Sequence, residues 1–483
     1  MRRMMGGVMD REFWIDFCER VPGAPGGLDE ARWRSAVDHL ICDLSRYYHV
    51  TNDVDLYLSG SAEEPSLREL FLWTYMTMKA TPAEFLQVFK TFHERDLDWA
   101  EREAIQSFFE LGEAPDAFGE ILLGLGGVLR ALDGFLASVT LDDAPAFDER
   151  GKPARRWEMP SYGAYIAPVD RQRRSGVNRP FIRRGLKNHA ILPTRIGNND
   201  VTLHYHDQLL DGERLGDRQR LRYGAALFPD LEVDLSKDDS WFHVKEIICE
   251  RHGERIQGHL DEAHGAGCDM LLWPELTLDW DAIDAIQSAL QDGARRERKK
   301  MTVVLAGSAH VHQDEPRPGH RNRTRIFNGR GETLADYDKR MMFSFAHKFL
   351  PDGAPDPDAA RCYEKIQPGN NLPILVLEDR LVAVAICLDF CEKTSGLLPY
   401  HQLDVDLVLV PSMGFRNTTD QHLEQAHTMD VEYDTQVFLV QQTPLIAGDQ
   451  ARKAGQPAGY SILHPPPQRH ELEQNEAFRT FCG

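Results

Sequence analysis

The chain has no apolar stretch approaching the roughly 20 residues that a membrane-spanning helix needs. Its opening, Met1-Arg-Arg-Met-Met-Gly-Gly-Val-Met-Asp10, has arginines but too little apolar core to read as a secretory leader. These two absences predict a cytoplasmic protein that is not embedded in a membrane. Positive charge is also scarce: 55 Lys and Arg face 76 Asp and Glu, a formal net charge of -21, and such a chain as a whole repels a phosphate backbone. The eight cysteines form no CxxC pair, so neither a zinc site nor a disulfide framework is indicated. No repeat at a solenoid period is found.

In bulk the composition is ordinary, with 42% hydrophobic and 27% charged residues, as expected of a soluble globular chain. Its 483 residues allow two or three domains, each with its own core. Residues 1–140 read as an all-α domain of unknown role. Thr81-Pro82 followed by Phe85, Phe89 and Phe92 describes a capped amphipathic helix: Thr accepts a bond from the first turn, Pro suits the first position, and the rings share one stripe. A second helix runs from Asp98 to Leu111 and stops at Gly112. Residues 28–48, 66–79 and 117–136 carry further helical patterns. In residues 141–215 the charge reverses, and Arg150 to Asn188 holds eleven basic residues against only Glu158 and Asp170. This segment reads either as a basic linker clinging to the acidic domains, or as an arm for nucleic acid or an acidic partner, with Tyr162, Tyr165 and Phe181 available for stacking on bases. The acidic remainder of the chain favours the linker.

Three motifs in residues 216–483 carry the chemistry: Leu271-Leu-Trp-Pro-Glu275-Leu, Tyr337-Asp-Lys339-Arg-Met-Met-Phe343 and Val384-Ala-Ile-Cys387-Leu-Asp389-Phe. Each has a plainer use when taken alone. The first reads equally as a buried strand ending in a solvated acid, and a lone cysteine after the run Leu381–Ile386 reads as packing. Together they complement one another. A cysteine nucleophile needs a base to take its proton, and a carboxylate beside the thiol serves. A lysine supplies positive charge where the attacked carbon's partner atom becomes anionic.

The order and settings of these motifs resemble the nitrilase superfamily of carbon-nitrogen hydrolases, over about residues 219–465 or half the chain. The resemblance implies an α+β fold, an αββα four-layer sandwich preceded here by the all-α domain. It also implies a catalytic set of Glu275, Lys339 and Cys387, with the backbone N–H of Leu388 completing the oxyanion site. Glu364-Lys-Ile-Gln-Pro-Gly369 is similar to the segment with the family's second glutamate, which makes Glu364 a fourth site residue that orients the lysine. No metal or organic cofactor is implied. The substrate would be a small amide-like molecule, an amide or N-carbamoyl compound ahead of a nitrile, cleaved through a thioester by a homo-oligomer of at least two chains. The alternative is a hydrolase fold retained as a binding or effector subunit of a multicomponent signalling or defence assembly.

Further stretches follow the same resemblance. Leu221–Phe228 is expected as the opening strand, Asn322–Leu334 as a hairpin turning at Gly331, and Leu407–Met413, Val437–Val440 and Gly459–Pro465 as later strands. His422 falls where a family histidine often begins a helix. Two features depart from the family: Glu432-Tyr-Asp-Thr435 replaces its usual charged stretch, and a polar tail follows Pro465 where relatives continue into strands. Residues 344–362 read as a loop over the pocket. The pairs His204/His206 and His310/His312 alternate on a strand face and read as surface or core residues rather than metal ligands.

Overall fold

Aliphatic and β-branched runs such as Leu381-Val-Ala-Val384 and Leu407-Val-Leu-Val410 fit a pleated surface buried on both faces, and they supply the central strands of the molecule. The computed structural model describes residues 158–159, 164–168, 189–205, 221–237, 240–295, 301–313, 319–346, 361–377, 380–391, 400, 403, 405–414, 416–433, 435–446, 458–464, 468–472 and 477–482. The helices expected in residues 1–140 lie outside the described residues, as do most of the basic segment and residues 347–360. The chain divides into two compact units, Met1–Leu192 and Pro193–Gly483. In the first, the strands Glu158–Met159, Ala164–Pro168 and His189–Pro193 form one small sheet in that order. All three strands lie inside residues 141–215, which the sequence reads as a linker or an arm.

The second unit is a mixed α/β structure with few helices. Its eight-stranded sheet runs, in spatial order, Gln468–Leu472, Gly459–His464, Gln436–Gln442, Leu407–Met413, Leu381–Val384, Asn371–Val376, Asn199–Tyr205 and Arg195–Ile196. Asn199–Tyr205 pairs in parallel with Asn371–Val376, so this sheet takes a strand from upstream of residue 216. A seven-stranded sheet runs Ala309–Gln313, Gly319–Phe327, Val303–Leu305, Met270–Leu272, Arg222–Ala226 and Phe478–Cys482, with Thr333–Asp338 also paired to Gly319–Phe327. The expected hairpin is therefore present, and Gly331 turns it at φ 76°, a conformation that side-chain-bearing residues rarely adopt. A five-stranded sheet contains Ser344–Ala346, Arg361–Glu364, Trp241–Ile248, Glu232–Lys237 and Leu445–Ile446.

The helices His252–Ala266 and Trp280–Arg295 pack against the seven-stranded sheet. Their residues Ile256, Leu260, Ile283, Ile286 and Leu290 join Leu271 and Trp273 in one buried cluster. The first ends at Gly267, left-handed at φ 65° with its N–H returning to the last turn. The second is capped by Asp279, whose carboxylate accepts the Ala282 N–H at 2.7 Å. The two large sheets touch through side chains: the Tyr223 ring lies 5.0 Å from that of Phe438, and Gln442 both accepts from Phe228 N (3.1 Å) and donates to Phe228 O (2.9 Å).

Two expectations are corrected at this level. The tail after Pro465 does form strands, Gln468–Leu472 and Phe478–Cys482, and the latter pairs antiparallel with Arg222–Ala226. Phe481, 2% exposed and packed on Phe438, supplies the burial that the tail's polar composition hides. Past the helix Arg416–Tyr433, Thr435 donates its hydroxyl to Val405 O at 2.7 Å. His422 lies in the second turn of that helix rather than at its start. One glycine has a direct consequence. Gly369 N–H donates to Lys339 O at 3.0 Å, and a Cβ at Gly369 would run into the backbone carbonyl of Asp338. Gly369→Ala should therefore displace the Asp338–Lys339 backbone and cost about 1–3 kcal/mol, seen as a lowered denaturation midpoint, with Cys387 reactivity changed at the same time.

Candidate active site

Each expected site residue sits where a strand ends. Met270–Leu272 stops at Trp273-Pro274, and Glu275 follows in a turn whose next residue, Leu276, is left-handed at φ 53°. The turn is pinned: Trp273 Nε1 donates to His259 Nδ1 (3.1 Å), Leu276 N to Ser308 Oγ (3.2 Å) and Thr277 Oγ1 to Pro274 O (2.9 Å). Lys339 directly follows Thr333–Asp338, its N–H bound to Asn322 O at 2.8 Å. Glu364 closes the strand Arg361–Glu364. Cys387 lies three residues past Leu381–Val384, held by its N–H on Pro411 O at 2.9 Å and left-handed at φ 47°. A non-glycine residue in that region stores strain, and here the strained residue is the candidate nucleophile.

The structure brings the charged residues into one chain. Lys339 Nζ donates to Glu275 Oε1 and to Glu364 Oε2, both at 2.7 Å, and all three side chains are at most 3% exposed. Asn322 Nδ2 bridges the same two carboxylates, at 2.9 Å to Glu275 Oε1 and 2.8 Å to Glu364 Oε1. Met413 N–H holds Glu275 Oε2 at 3.0 Å. Burial alone would lower the Lys339 pKa, but the two glutamates outweigh it and hold it well above the usual lysine range. For Glu364 burial pushes upward, and Lys339 followed by His310 overrides it to keep the carboxyl well below its usual range. The Cys387 thiol is raised above its ordinary value first by burial and next by the charge of Glu275, while Lys339 and the buried Ser412 hydroxyl pull the other way; the sulfur donates to Met413 O at 3.6 Å. Burial thus favours the protonated thiol at rest.

The frame around this chain is equally specific. Leu388 opens the short helix Leu388–Cys391, so its N–H is a first-turn donor without an intrahelical acceptor. Asp389 accepts from Met341 N at 2.7 Å, Arg340 N at 3.1 Å and Tyr337 Oη at 2.7 Å, tying the residues that flank Lys339 to the Cys387 turn. His422 Nε2 meets Cys387 O at 3.2 Å. Cys391 is also buried, and it bonds His422 rather than the charged chain. Among the described residues no group of three or more His, Cys, Asp or Glu is arranged to hold a metal ion.

No family model matches the chain, and no curated protein matches it. Among solved structures it is similar to an amidase from Nesterenkonia sp., at 17% identity over 55% of this chain and 90% of that one, with a TM-score of 0.35. It is similar to the same extent to a CN-hydrolase superfamily protein from Xanthomonas campestris, at 17% identity, 55% and 90% coverage and a TM-score of 0.35.

Asn322, His310 and Asp389 belong to the site although no role is assigned to them from sequence. Asn322 had a signal: residues 322, 324 and 326 share the inward face of their strand, and a polar residue on an inward face needs a partner. Asp389 gives a pH test. Burial raises its pKa from 3.8 to about 6, against the Tyr337 bond and Arg340. The folded state therefore holds this proton more tightly than the unfolded one. The resulting contribution is complete below about pH 4 and is lost as pH rises through about 6, a change of about 3 kcal/mol at most. Asp389→Asn should remove that component from the pH dependence of urea midpoints, and an unaltered slope between pH 4 and 6.5 would refute the assignment.

Proposed function

We propose that residues from about 193 to 482 form an αββα four-layer hydrolase domain that cleaves a non-peptide carbon-nitrogen bond through a thioester on Cys387. The observation that carries the reading is the buried chain Glu275–Lys339–Glu364 beside a cysteine held left-handed at a strand end. In the first half-reaction Glu275 takes the thiol proton as sulfur attacks the substrate carbon. The electron pair displaced onto the carbonyl oxygen meets the Lys339 ammonium and the Leu388 N–H. The pair returns, the carbon-nitrogen bond breaks, and Glu275 gives its proton to the departing amine or ammonia. In the second half Glu275 takes a proton from water, whose oxygen attacks the thioester, and the same proton returns to sulfur. Glu364 stays anionic throughout and holds Lys339 in line.

A small amide or N-carbamoyl compound is the substrate class this scheme suits, with at least a dimer as the working form. The raised thiol pKa supports a base-assisted attack over a preformed thiolate. The test is to incubate the full chain with a panel of small amides, N-carbamoyl compounds and nitriles and quench at short times. An acyl mass on intact protein that maps to Cys387 is expected. Turnover with no such adduct, and none in a rapidly quenched sample, would reject the covalent scheme.

A further inference from the structure

The imidazole of His310 is bound at both nitrogens. Its Nδ1 accepts the Val244 backbone N–H at 2.8 Å, and its Nε2 lies 3.0 Å from Glu364 Oε1, with both side chains 1% exposed. An amide N–H can only donate, so the Nδ1 lone pair is occupied and the ring proton sits on Nε2, facing the carboxylate. Glu364 then receives four donors: Asn322 and His310 on Oε1, Lys339 and the Phe343 N–H on Oε2. Such a carboxylate has no free lone pair facing the thiol and is poorly suited to move protons. Its oxygens are fixed in direction, so the position of the Lys339 ammonium is fixed with them. His310 lies in the strand Ala309–Gln313 of the seven-stranded sheet, whereas Val244 and Glu364 belong to the five-stranded sheet. The ring therefore joins Asn322 and Lys339 in tying Glu364 to the seven-stranded sheet, and it alone of the three is itself held by a backbone N–H of the five-stranded sheet, that of Val244.

We propose that His310 is a positioning residue of the carbon-nitrogen hydrolase site, a neutral Nε2–H donor that aims Glu364 and through it Lys339 at the developing oxyanion. This rests on the function proposed above. It assigns a specific use to a histidine that sequence alone places with surface or core residues. The neighbouring rings do not share that use: His320 lies 6.5 Å from His310 between ring centroids, and His312 packs edge-on to His320 at 5.2 Å.

Two variants separate the two nitrogens. His310→Asn keeps an acceptor near the Nδ1 position but cannot reach Glu364, while His310→Gln places an amide donor near the Nε2 position and drops the Nδ1 acceptor. Two probes of Cys387 separate positioning from general loosening. Acrylamide forms a carbon-sulfur bond while negative charge passes to its carbonyl oxygen, where Lys339 acts. Methyl methanethiosulfonate exchanges at sulfur and develops no such charge. The full-length protein is labelled with each at pH 7, and rates at Cys387 are taken from peptide mass maps. In His310→Asn the acrylamide rate should fall by about tenfold or more relative to the methanethiosulfonate rate, as expected for loss of one charge-assisted hydrogen bond. His310→Gln should recover most of the ratio, and His312→Ala should leave it unchanged. A wild-type ratio in His310→Asn, or equal losses in the Asn and Gln variants, would overturn the proposal. If the wild-type protein itself labels at Cys391 ahead of Cys387, the function proposed for the site fails instead, and the two failures are distinct.

Discussion

Cys387→Ala should abolish amide turnover and acyl-adduct formation while the protein still folds. The substitution removes one sulfur from a closed site, a loss of about 1 kcal/mol or less, and alanine meets the same backbone penalty that cysteine does. That penalty permits a sharper test. At φ 47° any side chain is strained, whereas glycine is not. Cys387→Gly should therefore be at least as stable as Cys387→Ala, although it leaves the larger void and is equally inactive. Cys391→Ala, which alters the contact with His422 but not the charged chain, should retain most activity. Matched urea unfolding curves and a turnover assay settle all three. Full activity in Cys387→Ala, or an equal collapse in Cys391→Ala, would move the nucleophile elsewhere. A glycine variant clearly less stable than alanine would mean that the left-handed turn is not strained.

What the sequence made legible were residues delivered by a local pattern. Glu275, Lys339 and Cys387 each end a short apolar or alternating run, and the structure places each just past the end of a strand. Glu364 was legible only through resemblance, because four residues of alternating burial say little by themselves. Asn322 and His310 depend on which strands come to face one another. Asn322 reaches Glu275 across 47 positions, and His310 reaches Glu364 across 54, separations that carry no periodic signal. The C-terminal strand was missed for a related reason. Phe478–Cys482 has no alternation, and its burial comes from Phe438 and from pairing with a strand more than 250 residues earlier. Tertiary burial there overrides a weak local pattern.

Lys339→Met should be the most destabilising change in the site as well as an inactivating one. It leaves Glu275 and Glu364, at most 3% exposed, on either side of an apolar side chain, and breaking a buried ion pair from one side typically costs about 3–5 kcal/mol. The part of the pH dependence set by these two carboxylates should also change sign. In the native protein the folded Glu364 carboxyl titrates below its unfolded value, so its contribution is present above about pH 4.5 and is lost as pH falls. With the lysine gone, two carboxylates bridged by Asn322 share a buried space with no cation, and one of them must take a proton at a raised pKa. Unfolding midpoints should then rise more steeply as pH is lowered from 7.5 to 5 than in the native protein, where the buried Asp389 already contributes such a rise. Adding Glu364→Gln to Lys339→Met removes one of the competing charges and should restore much of the stability without restoring turnover. If Lys339→Met is as stable as the native protein at pH 7.5 and shows no rise toward pH 5 beyond that of the native protein, the lysine is not neutralising two buried carboxylates, and the charged chain cannot be the source of the site's electrostatics.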